Sequence, residues 1–439
     1  MLSLLLFIIA PILGHQEPYC PKLIWISAPS LSIQDVDGFA FTTLKEMKRS
    51  LFIRSIFPYT FADPVVNEFS QATGRDPLEH GILSSIMTHE ESKKKFTPES
   101  SEIFWWNRNG SNVPIWMIND DHGERPSYVL GWPGINAISH RLYRDTAEKS
   151  ILNVAAKLRF KEIDSLIAKL KEESFDLLMV SLKSFESNKI KETNFNVKIL
   201  DNSMNSLFQK LDAMGCNHKT NVILSSSVGM CEYKKRDITY ISHIISPFKY
   251  SAYRSGATLF VKLELEEMSQ KFVENYNRDN SAYGEAFLTS DLLKTTKDKV
   301  KDVPGIVIIP HSGKFIKIDV RDSDSQIFQY GYNPARSDCT HGLLLGLGPN
   351  LRQRTISYDF SNIQVFHLVC KIMNLDQRCI GFEKHRSVIR DVYQEPQDSG
   401  TMKVNILYII IPIAVFLVLA LSGLGIYFLR LKRAEKLMN

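Results

Sequence analysis

Short apolar segments alternate with amphipathic segments along most of this chain, and this alternation limits the possible folds more than any other feature. The apolar segments are typical of strands buried on both faces, and the amphipathic segments predict helices between them. We therefore expect an α/β fold with a mainly parallel central sheet and helices on both faces. The predicted strands are residues 23–27, 176–182, 221–225, 257–263 and 305–309, and the predicted helices are residues 40–50, 146–171, about 197–214 and, as the final helix, about 361–373.

Composition supports a large folded body. The chain has 439 residues, of which 44% are hydrophobic and 23% charged, so it can bury an extensive core. The formal net charge of +5 is small for this length and is spread along the chain. It does not indicate a nucleic-acid partner.

The C-terminal region predicts a membrane anchor. Residues 406–429 form a run of 24 residues without a charge, which is long enough to span a hydrocarbon core. Basic residues follow this run and acidic residues precede it, so the positive-inside rule places residues 430–439 in the cytosol. The resulting prediction is a juxtamembrane linker at 391–405, a transmembrane helix at 406–429 and a short cytoplasmic tail.

The N-terminal region predicts secretion. Residues 1–14 form an apolar segment that is too short to span a bilayer and is followed by polar residues, as in a cleaved signal peptide. Residues 15–390 are then an extracellular domain of a single-pass type I protein in the cell membrane. In that compartment the triplet Asn109-Gly-Ser is an N-glycosylation acceptor.

The cysteine count fits the same compartment. Six cysteines behind a signal peptide indicate disulfides, and none has the spacing of a structural zinc site. Six cysteines allow 15 connectivities, of which the short-range pairs Cys370–Cys379 and Cys216–Cys231 are the simplest. The cysteines are Cys20, Cys216, Cys231, Cys339, Cys370 and Cys379.

Eight short fragments occur in an order and at a spacing that indicate a family when taken together. They are Phe57-Pro58, residues 72–77 (Ala-Thr-Gly-Arg-Asp-Pro), residues 79–82 (Glu-His-Gly-Ile), Trp105-Trp106, Pro114-Ile115-Trp116, Trp132-Pro133-Gly134, Val228-Gly229-Met230 and Gly348-Pro349. From about residue 22 to 380 the chain resembles the ectonucleotide pyrophosphatase/phosphodiesterase family, a branch of the alkaline-phosphatase superfamily. Its layout is most like that of the short type I membrane members. The resemblance implies an alkaline-phosphatase-like fold and a site with two zinc ions and a threonine nucleophile.

The residues that this family chemistry needs are absent at the matching positions. The resemblance places the first-strand carboxylate at Pro29 and the nucleophile at Pro64, with Thr60 as the nucleophile in an alternative alignment. Ser85 stands where the family has an asparagine that helps to hold the phosphate. The remaining metal-ligand positions are occupied by Glu186, Ile190, Ser227, Val228 and Tyr330.

Of these positions only Glu186 offers a metal-binding side chain, and one carboxylate cannot hold a catalytic zinc ion. We therefore expect no catalytic residues, no metal and no cofactor. The predicted function is that of a catalytically inactive cell-surface protein that binds an extracellular protein or a small molecule. The alternative is a divergent hydrolase with a remodelled site built on Thr60, Glu186 and the serine run at 225–227.

Overall fold

A computed structural model of the chain describes residues 19–37, 42–107, 110–138, 160–172, 174–182, 190–319, 328–396, 430 and 433. The strands are β1 Leu23–Ser27, β2 Leu51–Phe57, β3 Met87–Thr88, β4 Lys95–Phe96, β5 Ser127–Leu130, β6 Leu177–Ser181, β7 Asn221–Ser226, β8 Cys231–Glu232, β9 Ile238–Tyr240, β10 Tyr250–Ser255, β11 Thr258–Leu263, β12 Gly284–Leu288, β13 Ile306–Pro310, β14 Phe315–Lys317, β15 Phe328–Gln329, β16 Gly342–Leu347, β17 Arg354–Ile356 and β18 Phe360–Ser361. The helices are α1 Ile33–Asp37, α2 Thr42–Ser50, α3 Pro64–Thr73, α4 Pro77–His80, α5 Ile103–Trp106, α6 Ile115–His122, α7 Lys161–Glu172, α8 Ile190–Ala213, α9 Ser242–Ile245, α10 Ser269–Asn280, α11 Thr289–Leu292, α12 Asn362–Ile372 and α13 Phe382–Val392.

Within these residues, eight strands form the main sheet. Seven of them run in the order β17-β2-β16-β7-β1-β6-β5, and β18 also pairs with β2. All neighbours are parallel except β16, which is antiparallel to both β2 and β7. The expected mainly parallel sheet is therefore confirmed.

Alternation along β1 shows how the sheet separates two cores. Leu23 and Trp25 face one core, which also contains buried residues of α3, α6, α12 and α13. Ile24 and Ile26 face the other core, with buried residues of α1, α2, α7 and α8. Successive side chains of a strand point to opposite faces, so a continuous apolar strand packs against helices on both sides.

A second sheet stands apart from the first. Its order is β10-β11-β13-β12, and all of its pairings are antiparallel. The predicted strands at 257–263 and 305–309 exist, but they lie here and not in the parallel sheet. They are as apolar as parallel strands because both faces are covered: Val261 and Ile308 face a core with α10, and Phe260 and Val307 contact the cluster of Phe61.

Most predicted helices are confirmed, with one correction. Helices α2 and α12 match the predictions at 40–50 and 361–373, and α8 begins earlier than predicted. Helix α7 matches the described part of the prediction at 146–171, of which residues 146–159 lie outside the described residues. The helix at 361–373 is not the final one, because α13 follows it after the loop closed by Cys370 and Cys379. Helix α13 belongs to the same domain as α12, because Val392 of α13 packs in the same core.

Three disulfides use all six cysteines. The Cys370–Cys379 pair is confirmed, whereas the predicted Cys216–Cys231 pair is wrong. Cys216 bonds to Cys20, since it follows the end of α8 and lies beside the segment that leads into β1. Cys231 bonds to Cys339, because β8 pairs with β15 and the chain from β15 to β16 returns past Gly229.

The chain divides into two compact units, 1–394 and 395–439. Of the second unit the structure describes only residues 395, 396, 430 and 433. No helix among the described residues is long and apolar enough to cross a bilayer. The predicted signal peptide, the predicted span at 406–429, Asn109 and Glu186 lie outside the described residues.

Candidate functional site

Ligand sites in parallel sheets lie at the carboxyl ends of the strands. At this edge β1 ends at Ser27, β6 at Ser181 and β7 at Ser226. Helix α3 lies against these strand ends, because Glu68 in its second turn accepts hydrogen bonds from the hydroxyls of Ser27 and Ser181. The candidate site is therefore the start of α3 together with the ends of β1, β6 and β7.

Asp63 caps α3 and is fully buried. Its Oδ1 accepts from the backbone N–H of Val65 at 3.0 Å and of Val66 at 3.5 Å. Its Oδ2 accepts from the backbone N–H of Ser85 at 2.8 Å and from the hydroxyl of Ser255 at 2.5 Å. A helix N-terminus is a ready-made anion site, and here the anion is the protein's own carboxylate.

Pro64 is the first residue of α3. Proline suits this position because its ring fixes φ at a helical value and the N–H that it lacks has no partner within a helix. The Asp63-Pro64 pair is thus a stable helix start. It offers no hydroxyl where the family resemblance places a nucleophile.

Glu68 is the second buried carboxylate of this edge, with 3% of its surface exposed. It accepts from Ser27 Oγ at 2.5 Å and from Ser181 Oγ at 2.8 Å, and its backbone oxygen accepts from the indole of Trp132 at 3.2 Å. The hydroxyls compensate in part for the loss of water around the carboxylate. Glu68 therefore ties α3 to the ends of two strands.

A chain of amides connects the same helix to α12. Asn362 Nδ2 donates to Asn67 Oδ1 at 2.8 Å, and Gln71 Nε2 donates to Asn362 Oδ1 at 2.7 Å. Ser225 Oγ donates to Gln71 Oε1 at 3.4 Å and accepts from the indole of Trp25 at 2.8 Å. All five side chains are buried, so the network fixes their orientation.

The structure brings two of the predicted site positions together. Ser227 follows the end of β7, and its hydroxyl lies 3.5 Å from the backbone oxygen of Pro64. Val228 is fully buried. A Cβ at the next residue, Gly229, would lie only 2.3 Å from the backbone oxygen of Cys339, so protein atoms fill the space beyond β7.

The other predicted positions are more dispersed. Pro29 is buried two residues beyond the end of β1. Tyr330 follows β15, and its backbone oxygen accepts from the N–H of Ala257 at 2.7 Å. Ile190 is the first residue of α8. Ser85 donates its backbone N–H to the carboxylate of Asp63.

Sequence reasoning missed the buried polar residues of α3. A signal for them exists: Asp63, Asn67 and Gln71 are spaced four residues apart on a helix that is otherwise largely buried. Such spacing places polar side chains on one helical face. Asp-Pro before a helix is likewise a recognisable start signal.

His80, near the site, has a structural role. His80 is buried, and desolvation lowers its pKa to about 3. Its Nδ1 accepts from the N–H of Ile82 at 3.1 Å, so its Nε2 carries the proton and donates to Ser70 Oγ at 2.9 Å. His80 is therefore a neutral side chain that joins α3 to the segment after α4.

The donor set at this edge does not fit a zinc pair. Among the described residues, Asp63 and Glu68 are the carboxylates of this edge, and both are engaged with protein donors. No group of three or more histidine, cysteine or acidic side chains is close enough to hold a metal ion in the part of the chain that the structure describes. A catalytic zinc needs about three such ligands.

A cavity of about 350 Å³ opens beside the start of α3. Its walls are largely apolar and aromatic, with a few polar groups, as in pockets for small molecules. Burial raises the pKa of the Tyr59 hydroxyl above its ordinary value, and Asp76 and Glu79 add to this rise. The lining residues are Tyr59, Thr60, Phe61, Asp63, Val66, Asn67, Asp76, Pro77, Leu78, Leu83, Leu292, Leu293 and Lys294.

A mainly parallel sheet with a helix starting at its carboxyl edge, beside a small antiparallel sheet, defines an α/β protein whose ligand site is expected at that edge. The sequence profile described as type I phosphodiesterase / nucleotide pyrophosphatase matches residues 35–329. The chain therefore belongs to the type I phosphodiesterase / nucleotide pyrophosphatase family.

Relatives and solved structures agree with this assignment. The chain is 22% identical over 376 residues to human bis(5'-adenosyl)-triphosphatase ENPP4, a match that covers 81% of this chain and 78% of the relative. It is 23% identical to rat ectonucleotide pyrophosphatase/phosphodiesterase family member 3, covering 82% of this chain and 44% of that longer protein. The structure of murine ectonucleotide pyrophosphatase/phosphodiesterase 5 matches with a TM-score of 0.69 and 15% identity, covering 85% of this chain and 99% of that one. An inactive T72A form of the same mouse enzyme, in complex with AMP, matches with a TM-score of 0.66 and 16% identity, covering 81% of this chain and 95% of that one.

Proposed function

We propose that this chain is a catalytically inactive member of its family that acts by binding at the cell surface. The observation that carries the proposal is the start of α3, where Pro64 occupies the first position and Asp63 accepts four hydrogen bonds. A helix start of this kind can hold a phosphate through its free backbone N–H groups. Here the donors already hold a carboxylate, and Pro64, where the resemblance places the nucleophile, has no hydroxyl.

The proposal includes the absence of the zinc pair. Family chemistry uses metal ions to activate the nucleophile and to stabilise the charge that develops on phosphoryl oxygens. Pro29, Ser227 and Val228 stand at three of the ligand positions, and neither proline nor valine has a ligating side chain. We expect the purified protein to bind no stoichiometric zinc.

The cavity beside α3 supports a binding role. Its apolar walls and its few polar groups suit a small amphiphilic molecule, and Lys294 and Asp76 contribute charged groups to its wall. Binding of an extracellular protein is the other form of the proposal. The cavity argues for the small molecule.

The proposed location is the cell membrane, with residues 15–390 outside and one anchor at 406–429. Three disulfides fit an oxidising compartment.

We also propose a glycan on Asn109. Enzymatic deglycosylation should change the gel mobility by one glycan step, and Asn109→Gln should abolish the change; two or more steps would contradict this topology.

The test of inactivity compares this protein with human bis(5'-adenosyl)-triphosphatase ENPP4. Both are purified from the same cells, and hydrolysis of a nitrophenyl nucleotide ester and of bis(5'-adenosyl) triphosphate is measured with and without added zinc. We expect no turnover above background for this chain and, by elemental analysis, no stoichiometric zinc. Turnover that is lost on chelation would overturn the proposal in favour of a remodelled hydrolase. Replacing Thr60, which lines the cavity, would then show whether that hydroxyl is its nucleophile.

A further inference from the structure

A basic depression lies at the open edge of the main sheet, four strands away from β1. It has a volume of about 450 Å³ and lies between α2 and the edge strand β17. Four of its six lining residues are cationic and none is acidic. The lining residues are Lys45, Lys48, Arg49, Gln353, Arg354 and Thr355.

The arrangement of α2 explains why the cations point outward. Thr43, Leu44 and Met47 are buried, so Lys45 and Arg49 lie exposed on the opposite side, four residues apart. Lys48 pairs with Asp37 and lies 5.0 Å above the ring of Phe52. Neither Lys45 nor Arg49 forms an ion pair with any residue that the structure describes, so their charges are available to a partner.

Three of the four cations lie on α2, and the fourth, Arg354, lies on β17. Lys45 and Arg49 are separated along the helix axis by about 6 Å, as four residues at a rise of about 1.5 Å require. Arg354 extends the positive surface along β17, where it pairs with Asp391 at 3.6 Å. Cations spread over α2 and β17 can each contact a different anionic group of a linear chain.

We propose that this depression binds a sulfated polysaccharide. The lining contains no aromatic side chain on which a nucleic-acid base could stack, and no apolar side chain that could enter a bilayer. Gln353 and Thr355 offer neutral donors and acceptors, which suit sugar hydroxyls. The choice of a polysaccharide as the natural polyanion rests on the proposed extracellular location.

The test measures binding of the full-length protein to a heparin oligosaccharide over a range of salt concentrations. The double variant Lys45→Gln/Arg49→Gln should weaken binding about tenfold at low salt. It should also reduce the slope of the logarithm of the binding constant against the logarithm of the salt concentration by about two, because two fewer counterions are released on binding. The control variant Lys235→Gln/Arg236→Gln removes two exposed charges from the Lys235–Asp237 turn and should leave binding unchanged. A desulfated oligosaccharide of equal length should not bind.

Equal losses from the two double variants would show attraction by net charge alone and would overturn the proposal. Binding only to vesicles of anionic lipid, or only to a single-stranded oligonucleotide, would also overturn it. All of these measurements use purified protein, so they are independent of where the protein resides and of whether it hydrolyses nucleotides. The proposed inactivity is tested by the hydrolysis assays, so its failure would be distinguished from a failure of polysaccharide binding.

Discussion

The faces and the carboxyl edge of the main sheet differ in what stabilises them. The faces are apolar: Trp25 and its neighbours on β1 pack against helices on both sides. The edge is polar, and its buried groups satisfy one another: Asp63 with Ser85 and Ser255, and Glu68 with two strand-end serines. Apolar packing thus stabilises the faces of the sheet, and buried hydrogen bonds stabilise its carboxyl edge.

This difference has an energetic consequence. Active sites often hold groups in arrangements that cost stability, so replacing a catalytic residue can leave a protein unchanged or more stable. An edge that serves only the fold should behave in the opposite way, because each removed partner leaves a buried polar group without a hydrogen bond. The following predictions test whether the edge behaves like the faces.

The largest effect is expected on a face. Trp25 is fully buried, contacts Trp132 with 4.7 Å between the ring centroids and donates to Ser225. Trp25→Ala should lower the free energy of unfolding by about 3–5 kcal/mol, as for other buried aromatic residues. Urea unfolding gives the value, with the exposed Leu265→Ala as a control that should change it by less than about 0.5 kcal/mol. A loss for Trp25→Ala as small as that of the control would contradict the description of this core.

The next effect is at the edge. Asp63→Ala removes a helix cap and leaves the N–H of Ser85 and the hydroxyl of Ser255 without their acceptor. We expect a loss of about 2–4 kcal/mol, the sum of a cap and one or two buried unpaired groups.

Asp76 provides a matched control, because it is also an aspartate that precedes a proline and caps a helix, but it is only half-buried. Asp76→Ala should cost about 1 kcal/mol, the usual value of an N-cap. If Asp63→Ala were neutral or stabilising while Asp76→Ala was not, the edge would behave like an active site and the comparison would fail.

A smaller loss of stability is expected at low pH, from His80, which contacts Ser70 of α3. His80 has a pKa of about 3 in the folded protein against 6.5 when unfolded. The unfolded chain therefore binds a proton that the folded chain rejects, and stability is lost as the pH falls from 6.5 towards 3. At pH 5 this loss is about 2 kcal/mol for one such histidine.

The measurement compares unfolding at pH 7.5 and pH 5 for the parent protein and for His80→Gln. The variant should be less stable at both values but should lose about 2 kcal/mol less between them. A variant with an unchanged pH dependence would show that His80 can be protonated in the folded state.

How far the sequence predicts this molecule differs between the same two regions. The faces are predictable because continuous apolar strands such as 23–27 and 221–225 have no stable alternative to burial on both sides. Assignment of 257–263 to the parallel sheet failed, because an apolar strand does not reveal which sheet covers it. At the edge, the sequence shows which residue stands at each position where the family resemblance expects a ligand. It does not show the contacts of Asp63 with Ser85 and Ser255, which join residues 22 and 192 positions apart. Only the fold brings such residues together.

The smallest effect is expected on activity, when two ligand positions are restored. Ser227→Asp/Val228→His would place an acid and an imidazole beyond β7, but it would leave Pro29 and Pro64 in place. Hydrolysis in this family needs a nucleophile and clamped cations together, and residues that act as a unit give no activity singly. We expect no hydrolysis of a nitrophenyl nucleotide ester above background, even with added zinc.

The Ser227→Asp/Val228→His variant should also be less stable than the parent protein. A variant that partly restored a metal site would instead gain stability when zinc is added. Ser227 is fully buried, with its hydroxyl directed towards the backbone oxygen of Pro64, so an aspartate there would place its carboxylate near a carbonyl oxygen. Val228 is fully buried as well, so a larger polar ring would overfill its site. Thermal unfolding with and without zinc measures this, with Ser227→Ala/Val228→Ile as the apolar control. A double variant that zinc stabilises and that hydrolyses the ester would show that the edge still retains a metal site and differs from the faces after all.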